Sequence, residues 1–255
     1  MKQGDFTEVA KHYHNRPAYS AQLLEKLIRC VNESNKPLDS FRVVEVGAGT
    51  GKLTKMLSNF GLSVVAVEPN DAMREIGMER TASFKGRIEW IRAGGLDTTL
   101  DSASYDWVTF GSSFNVMDRG AALKEAHRLL RPGGYFSCMW NHRDLSCPLQ
   151  ELAEEVIVDL VPGYSRGVRR EDQRGIIEEH KNLFDEICYL EQDFYFHQSI
   201  DNYIAAWQSV KNPYWDLETQ EGRDLFDKIA YQLRHKLPSK FSIRYTTRSW
   251  SAKKV

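Results

Sequence analysis

The chain has 255 residues, of which 42% are hydrophobic and 27% are charged, and its formal net charge is −1 at pH 7. This composition is typical of a globular protein with a substantial core, and the near-zero charge excludes a general attraction to nucleic acid or anionic membranes. Apolar runs such as Val64–Val67 are far shorter than the roughly 20 residues that span a bilayer, and the first residues lack the apolar stretch of a signal peptide. We therefore expect one cytoplasmic domain, residues 1–255, without membrane or nucleic-acid partners; its oligomeric state is left open.

Cysteine and histidine positions bear on metal binding. No two cysteines have the spacing of metal ligands, and the seven histidines show no such pair on a single helix, although His12 and His14 are two residues apart and could face one cleft. The cysteines stand far apart, at Cys30, Cys138, Cys147 and Cys188, and a reducing compartment argues against disulfides. We expect free thiols and no metal site.

The N-terminal residues 1–35 are predicted to form a helical lid. The Arg16-Pro17 step interrupts any helix before it. A helix is then predicted to begin near Tyr19-Ser20, because the following apolar residues recur at helical spacing. Its buried face would hold Leu23, Leu24, Leu27, Ile28 and Val31.

Residues 36–148 alternate short apolar runs with helical patterns. The predicted strands are 42–46, 63–68, 87–91, 105–110 and 135–140. Predicted helices lie at 51–60, after the Pro69-Asn70-Asp71 turn, and at 121–130, with Gly61 capping the first of them. This alternation favours an α/β domain with a doubly wound parallel sheet.

The pattern changes after residue 148. Helices are predicted near 149–160, 171–182, 200–210 and 218–235, and strands at 189–196 and 241–250. We assign residues 149–238 to a partly inserted cap that also contributes to the sheet edge, and residues 239–255 to a C-terminal edge strand.

A glycine-rich turn follows the first predicted strand. Gly47, Gly49 and Gly51 come after the strand that holds Glu45, and Glu68 ends the second strand. Glycine lets a ligand approach the backbone because it has no Cβ, and an acid at the second strand's end accepts hydrogen bonds from ribose hydroxyls. Strand, turn, helix and acid together predict a nucleoside-binding unit.

Two cofactors fit this unit, a nicotinamide dinucleotide and S-adenosylmethionine. The dinucleotide fingerprint is G-x-G-x-x-G, whereas the spacing here is G-x-G-x-G, and Lys52 stands where that fingerprint needs its third glycine. Glu45 would repel a pyrophosphate but would attract the sulfonium and amino groups of S-adenosylmethionine. The residues therefore favour S-adenosylmethionine.

Several segments carry a resemblance to a known family. Residues 45–51 resemble motif I of the class I S-adenosylmethionine-dependent methyltransferases, residues 67–73 resemble their second motif, and residues 129–135 resemble the turn before their fifth strand. Residues 13–20 and 140–144 resemble the small-molecule branch related to trans-aconitate methyltransferases.

This resemblance implies a fold and an activity. The fold is a Rossmann-like, mostly parallel seven-stranded sheet with helices on both faces and a small, mainly helical cap. The cofactor is S-adenosyl-L-methionine and the acceptor is a small molecule, with oxygen favoured over nitrogen or sulfur as the methylated atom.

The resemblance also implies which residues hold the cofactor. Its methionine and sulfonium side would be lined by Glu45, Gly47, Ala48, Gly49 and Gly51, with Tyr13 closing the pocket. Glu68 would hold the ribose, and Pro69 and Met73 would lie against the adenine. Leu96 occupies the usual acidic position near the adenine amine, so that the neighbouring Asp97 or the Leu96 backbone would make this contact. Gly111 and Ser112 would pass under the cofactor.

Candidate catalytic and acceptor residues surround this predicted pocket. The candidates for proton transfer or orientation of the acceptor are His14, Asn115 and His142. The candidates for acceptor binding are Arg16, Arg143, Tyr203 and Trp207, which offer positive charge and flat apolar surface. A carboxylate acceptor needs no general base, whereas a protonated phenol or amine can need one.

Two other function classes remain open. A nicotinamide-dependent oxidoreductase is the enzymatic alternative, although the chain lacks the third glycine and a Tyr-x-x-x-Lys pair after the fourth strand. A methyltransferase-like binding protein without activity is the other, because Leu96 and Asn115-Val116 depart from the residues usual in the family.

Overall fold

The computed structural model describes residues 7, 10–165, 171–209 and 213–255. Its strands are β1 Arg42–Val46, β2 Ser63–Val67, β3 Ile88–Ile91, β4 Tyr105–Gly111, β5 Leu130–Arg143, β6 Phe184–Ser199 and β7 Lys240–Lys254. Its helices are α1 Ala21–Val31, α2 Lys52–Asn59, α3 Asp71–Arg80, α4 Arg119–Leu129, α5 Pro148–Leu160, α6 Arg174–Glu178, α7 Ile200–Gln208 and α8 Gln220–Lys236, and a 3₁₀ helix spans Ala10–Asn15. Within these described ranges, no helix is both long enough and apolar enough to cross a membrane.

The seven strands form one sheet in the order β3-β2-β1-β4-β5-β7-β6. Strands β1 to β5 pair in parallel, and β7 pairs antiparallel with both β5 and β6. Four of the five β1 residues are buried, as expected for a central parallel strand covered on both faces. The predicted fold class is therefore confirmed, and the carboxyl ends of β1, β2 and β4 meet at one edge of the sheet.

The last strand does not lie at the edge that was predicted for residues 239–255. β7 is inserted between β5 and β6, so that β6 is the edge strand. The prediction was wrong because β7 is covered on both sides by strands, and its small polar residues Thr247, Ser249 and Ser251 are all buried. Ser251 Oγ hydrogen-bonds with Ser137 Oγ at 2.7 Å, and Thr247 Oγ1 donates to Asn141 Oδ1 at 2.6 Å. Such partners let small polar side chains enter a core.

Local capping residues set the ends of the helices. Ser20 Oγ accepts from the Leu23 amide at the start of α1, and Asn70 Oδ1 accepts from the Met73 amide at the start of α3. Gly61, with φ +96°, follows α2 as predicted. The helix predicted at 171–182 is shorter, Arg174–Glu178, because the chain turns to bury Phe184 in the core at the start of β6.

The cap packs as a second core beside the sheet. Helices α5, α7 and α8 bury apolar side chains against the ends of β6 and β7, including Ile157, Tyr203, Trp207, Phe226 and Leu233. The 3₁₀ helix contacts both α7 and α3. This arrangement places the N-terminal segment and the cap over the carboxyl edge of the sheet.

Gly77 is needed for the packing of β3 on α3. A Cβ at this position would overlap the ring of Trp90, whose indole N–H donates to Thr81 Oγ1 at 3.0 Å. We expect Gly77→Ala to lower the free energy of unfolding by about 1–3 kcal/mol through overpacking, although alanine is the better helix former.

Gly175 in α6 provides the matched control, since no atom lies within 4 Å of the position that its Cβ would take. Gly175→Ala should leave stability unchanged or raise it slightly. Urea denaturation of both variants checks the prediction, and equal stability of the two would contradict it.

Candidate functional site

The glycine turn after β1 adopts a backbone that only glycine adopts without strain. Gly47, Gly49 and Gly51 have φ angles of +70°, +56° and +71°. A Cβ on Gly47 would lie 2.5 Å from Ser113 Cβ, whereas no atom lies within 4 Å of the Cβ position of Gly49. Gly47 therefore allows close packing against the end of β4, and Gly49 leaves an open cradle above the turn.

Glu68 connects the glycine turn to the start of α3. Its Oε2 accepts from the Gly49 amide at 2.8 Å, and its Oε1 accepts from the Asn70 amide at 2.9 Å. Burial raises the pKa of Glu68, and the N–H groups of Asn70 and Gly49 act in the opposite direction. Each oxygen keeps a lone pair for a further donor, so that the carboxylate can hold the turn and receive two hydroxyl groups.

Glu45 lies beneath the turn at the end of β1. It is buried, and Thr54 Oγ1 donates to its Oε2 at 2.5 Å. Burial raises its pKa to about 8, opposed by the Thr54 hydrogen bonds and assisted by the charge of Glu68. A buried carboxyl next to a second carboxylate attracts a cation, because a cation would stabilise the ionised form.

The N-terminal segment closes over this edge. The Arg16 guanidinium stacks on the Tyr13 ring at 4.1 Å, and Lys52 Nζ donates to the Arg16 carbonyl. The Asn70 side chain donates to Thr7 Oγ1 at 2.9 Å. Tyr13 lies near enough to Glu68 for that charge to raise its pKa, after the larger contribution of burial. Tyr13 thus lies near Glu68, and its role in closing the cofactor pocket stays a prediction.

Tyr19 is a site residue that the sequence reasoning missed. Its hydroxyl hydrogen-bonds with Ser112 Oγ at 2.9 Å, and a Cβ on Gly111 would lie 2.9 Å from that hydroxyl. Ser112 has a φ of +61°, a strained conformation for serine. Burial raises the pKa of Tyr19, so that it stays a neutral phenol. An aromatic residue just after the Pro17 break was the available signal.

The predicted adenine side is more open than the turn. Met73 is buried at the start of α3, whereas Pro69 and Asp97 are exposed and Leu96 is 45% exposed. The 94–97 loop lies at the end of β1, since a Cβ on Gly95 would lie 2.8 Å from the Val46 side chain. Leu96 and Asp97 thus border the edge without entering the core.

The structure describes the side chains of two of the three catalytic candidates, Asn115 and His142. Asn115 Oδ1 accepts from the Trp140 indole at 3.1 Å, beside the core on that face of the sheet. His142 and Arg143 are consecutive in β5 and so point to opposite faces of the sheet. The structure therefore does not bring His142 and Arg143 together. The His14 side chain lies outside the described residues.

The four predicted acceptor residues lie together. Arg143 stacks on Trp207 at 3.7 Å and lies 6.0 Å from the Tyr203 ring. Arg16 Nε donates to Ser209 Oγ at 2.7 Å, at the end of α7 that also carries Trp207. Trp207 and Tyr203 are each 1% exposed, so these rings belong to the cap core, and their predicted role in acceptor binding stays a prediction.

One family model matches this chain, described as a methyltransferase domain and covering residues 44–138. The matched segment contains the glycine turn, Glu45 and Glu68. An uncharacterized methyltransferase of Mycobacterium tuberculosis strain H37Rv is 34% identical over 139 residues, which are 53% of this chain and 51% of that protein. The chain therefore spans about half the length of this curated relative.

A second relative is named for its activity. The ubiquinone/menaquinone biosynthesis C-methyltransferase of Methylobacterium nodulans is 34% identical over 111 residues, 41% of this chain and 44% of that protein. Among solved structures, a candidate type II methyltransferase from Anaeromyxobacter dehalogenans superposes with a TM-score of 0.58 at 19% identity, covering 93% of this chain and 97% of its own. At that identity the superposition shows the fold.

The raised pKa of Glu45 predicts a specific pH dependence of stability. The folded state binds a proton that the unfolded state releases between its ordinary pKa of 4.5 and about 8, so the free energy of unfolding falls as the pH rises through this window. Glu45→Gln should flatten that fall. Chemical denaturation of both proteins between pH 4.5 and pH 8 measures the effect, and identical pH profiles would contradict it.

Proposed function

We propose that this protein, whose residues 44–138 form a class I S-adenosyl-L-methionine-dependent methyltransferase domain, transfers a methyl group to a small-molecule acceptor. The domain class and its cofactor were predicted from the sequence, and the family match confirms them. The trans-aconitate branch is not named by the relatives above and stays a prediction, as does a cytoplasmic location.

The residues around the glycine turn fit this cofactor. The open space above Gly49 admits a ligand against the backbone, and Glu68 faces that space while holding the Gly49 amide. We assign the ribose hydroxyls to Glu68 and the cationic methionine end to the side of Glu45. This pairing of two acidic side chains with one glycine cradle is the observation that carries the proposal, because a cationic group beside Glu45 would stabilise its ionised form, whereas a pyrophosphate would not.

The chemistry supplied by the bound cofactor is an electrophilic methyl group on a sulfonium sulfur. The protein's own contribution is to hold the acceptor in line with that methyl group and to exclude water. Tyr13 and Arg16 close the N-terminal side, and Tyr19 fixes Ser112 at the end of β4. The rings of Tyr203 and Trp207 border the acceptor side. Positioning is therefore the main catalytic device that we assign to these residues.

The acceptor is assigned as a small molecule with oxygen as the favoured atom. The aromatic rings and the Arg143 guanidinium provide a flat, positively charged wall, which suits a planar or carboxylated molecule. The Methylobacterium relative is named as a C-methyltransferase, so carbon joins nitrogen and sulfur among the alternatives to oxygen. Product analysis with isotopically labelled methyl donor distinguishes these atoms.

The cofactor that the protein binds distinguishes a methyltransferase from a nicotinamide-dependent oxidoreductase. We expect isothermal titration calorimetry to show micromolar or tighter binding of S-adenosylmethionine and S-adenosylhomocysteine and no binding of NADH, because the turn lacks the third glycine of the dinucleotide fingerprint and a pyrophosphate cannot stabilise ionised Glu45. Binding of NADH alone would overturn the proposed function. Cofactor binding without turnover on any acceptor would instead favour a non-catalytic binding protein.

Glu68→Ala should weaken S-adenosylhomocysteine binding by about 1–3 kcal/mol, because it removes charge-assisted hydrogen bonds to the ribose. Glu79→Ala, an exposed position on α3, is the control and should bind as the wild type does. Titration calorimetry gives the affinities, and circular dichroism establishes that each variant is folded. Unchanged affinity in folded Glu68→Ala would show that Glu68 does not hold the ribose.

A further inference from the structure

Helix α1 and the edge strand β6 pack against each other through one row of side chains on each element. Cys188, Leu190 and Gln192 alternate along β6 and therefore lie on one face of the sheet. Leu190 packs against the core cluster that contains the buried residues of α1. On α1, Lys26 Nζ donates to Gln192 Oε1 at 2.9 Å, and Cys30 lies one helical turn beyond Lys26. The row on α1 thus leads to Cys30, as the row on β6 leads to Cys188.

The thiols of Cys30 and Cys188 meet between α1 and β6. They lie within reach of a side-chain hydrogen bond to each other, and both cysteines are half-buried, so that small solutes can reach them. Just beyond α1, Lys253 Nζ of β7 donates to Glu33 Oε2 at 2.8 Å. Polar contacts on either side of the pair therefore hold α1 in place over β6 and β7.

Cys30 keeps its proton at neutral pH. Burial, the hydrogen bond with Cys188 and the charge of Cys188 raise the pKa of Cys30 to about 12, and Glu33 adds to this shift. Thiolates rather than thiols attack disulfides, so the first attack falls to Cys188. Once Cys188 is itself part of a disulfide it carries no charge, and its contribution to the raised pKa of Cys30 ends.

We infer that Cys30 and Cys188 form a reversible disulfide that ties α1 to β6 when a low-molecular-weight disulfide such as glutathione disulfide is the oxidant. The Cys188 thiolate attacks one sulfur of glutathione disulfide and releases one glutathione thiolate. Cys30 then gives its proton to solvent, attacks the Cys188 sulfur and releases the second glutathione thiolate. The two cysteines thereby lose two protons and two electrons, and the oxidant is reduced to two glutathione molecules.

This bond joins elements that lie far apart in the sequence. α1 begins directly after Tyr19 and Ser20, and the Ser20 amide donates to Thr247 Oγ1 of β7 at 2.9 Å. A link between Cys30 and Cys188 closes a long loop, which lowers the entropy of the unfolded chain and so stabilises the fold. It also restrains the helix that follows the N-terminal segment. The inference does not depend on methyl transfer, because the bond forms in the protein without cofactor.

The test incubates the folded full chain with glutathione disulfide and maps every cysteine by mass spectrometry after proteolysis without reductant. We expect a cross-link between Cys30 and Cys188 within single chains, and recovery of both thiols with excess reduced glutathione. Cys147 is half-buried as well, so the glutathione that it takes up shows that the oxidant has reacted. Cys147→Ser is the matched control and should form the cross-link as the wild type does.

Single substitutions separate the two steps of the reaction. In Cys30→Ser, Cys188 should keep its bound glutathione, because no second thiol displaces it. In Cys188→Ser, Cys30 should react about tenfold or more slowly than Cys188 does in Cys30→Ser, because burial still holds its thiol protonated. Circular dichroism establishes that each variant is folded, and Cys30→Ala provides the same comparison should Cys30→Ser not fold.

Thermal unfolding gives a second readout of the link. We expect the oxidised wild type to unfold about 5–10 °C above the reduced protein, and we expect no such rise in Cys30→Ser. A wild type in which Cys147 reacts fully while Cys30 and Cys188 stay reduced, or carry glutathione separately, would overturn the inference. A cross-link that joins other cysteines would overturn it as well.

Discussion

The hydrogen bonds of Glu68 organise the site more than any other single interaction. One carboxylate oxygen accepts from Gly49 in the turn after β1, and the other accepts from Asn70 at the start of α3. Three left-handed glycines bend the chain so that the Gly49 amide reaches this acid. The open cradle above Gly49 and the position of α3 both depend on this bridge between the ends of two adjacent strands.

Burial of charge is the second constraint on this edge of the sheet. Glu45 and Glu68 are both buried, and burial together with the charge of Glu68 raises the pKa of Glu45. A cationic ligand would oppose this shift. On the cap side, Arg16 and Arg143 are two further buried charges, held against Ser209 and Trp207 at the end of α7.

The cofactor half was largely predictable from the sequence, because its residues are close together in the chain. Gly47, Gly49 and Gly51 follow one strand directly, and Glu68 ends the next strand of a single βαβ unit. Tyr19 was not predicted, because its contact with Ser112 joins residues that are 93 positions apart. The alternation of side chains in β5 likewise places His142 and Arg143 on opposite faces of the sheet, although both had been candidates for the acceptor side of the site.

The sequence by itself determined the order of strands and helices through residue 140, the glycine turn and the class of cofactor, because local periodicity and short motifs encode them. Only the tertiary structure decided that β7 lies inside the sheet rather than at its edge. Its serines and threonines have the same sequence pattern whether they are buried or solvated, and their hydrogen-bond partners on β5 exist only in the folded sheet. The tertiary structure also decided that Arg143, Gln150 and Tyr203 form one cluster, since their side chains meet only when the cap packs against the end of β5.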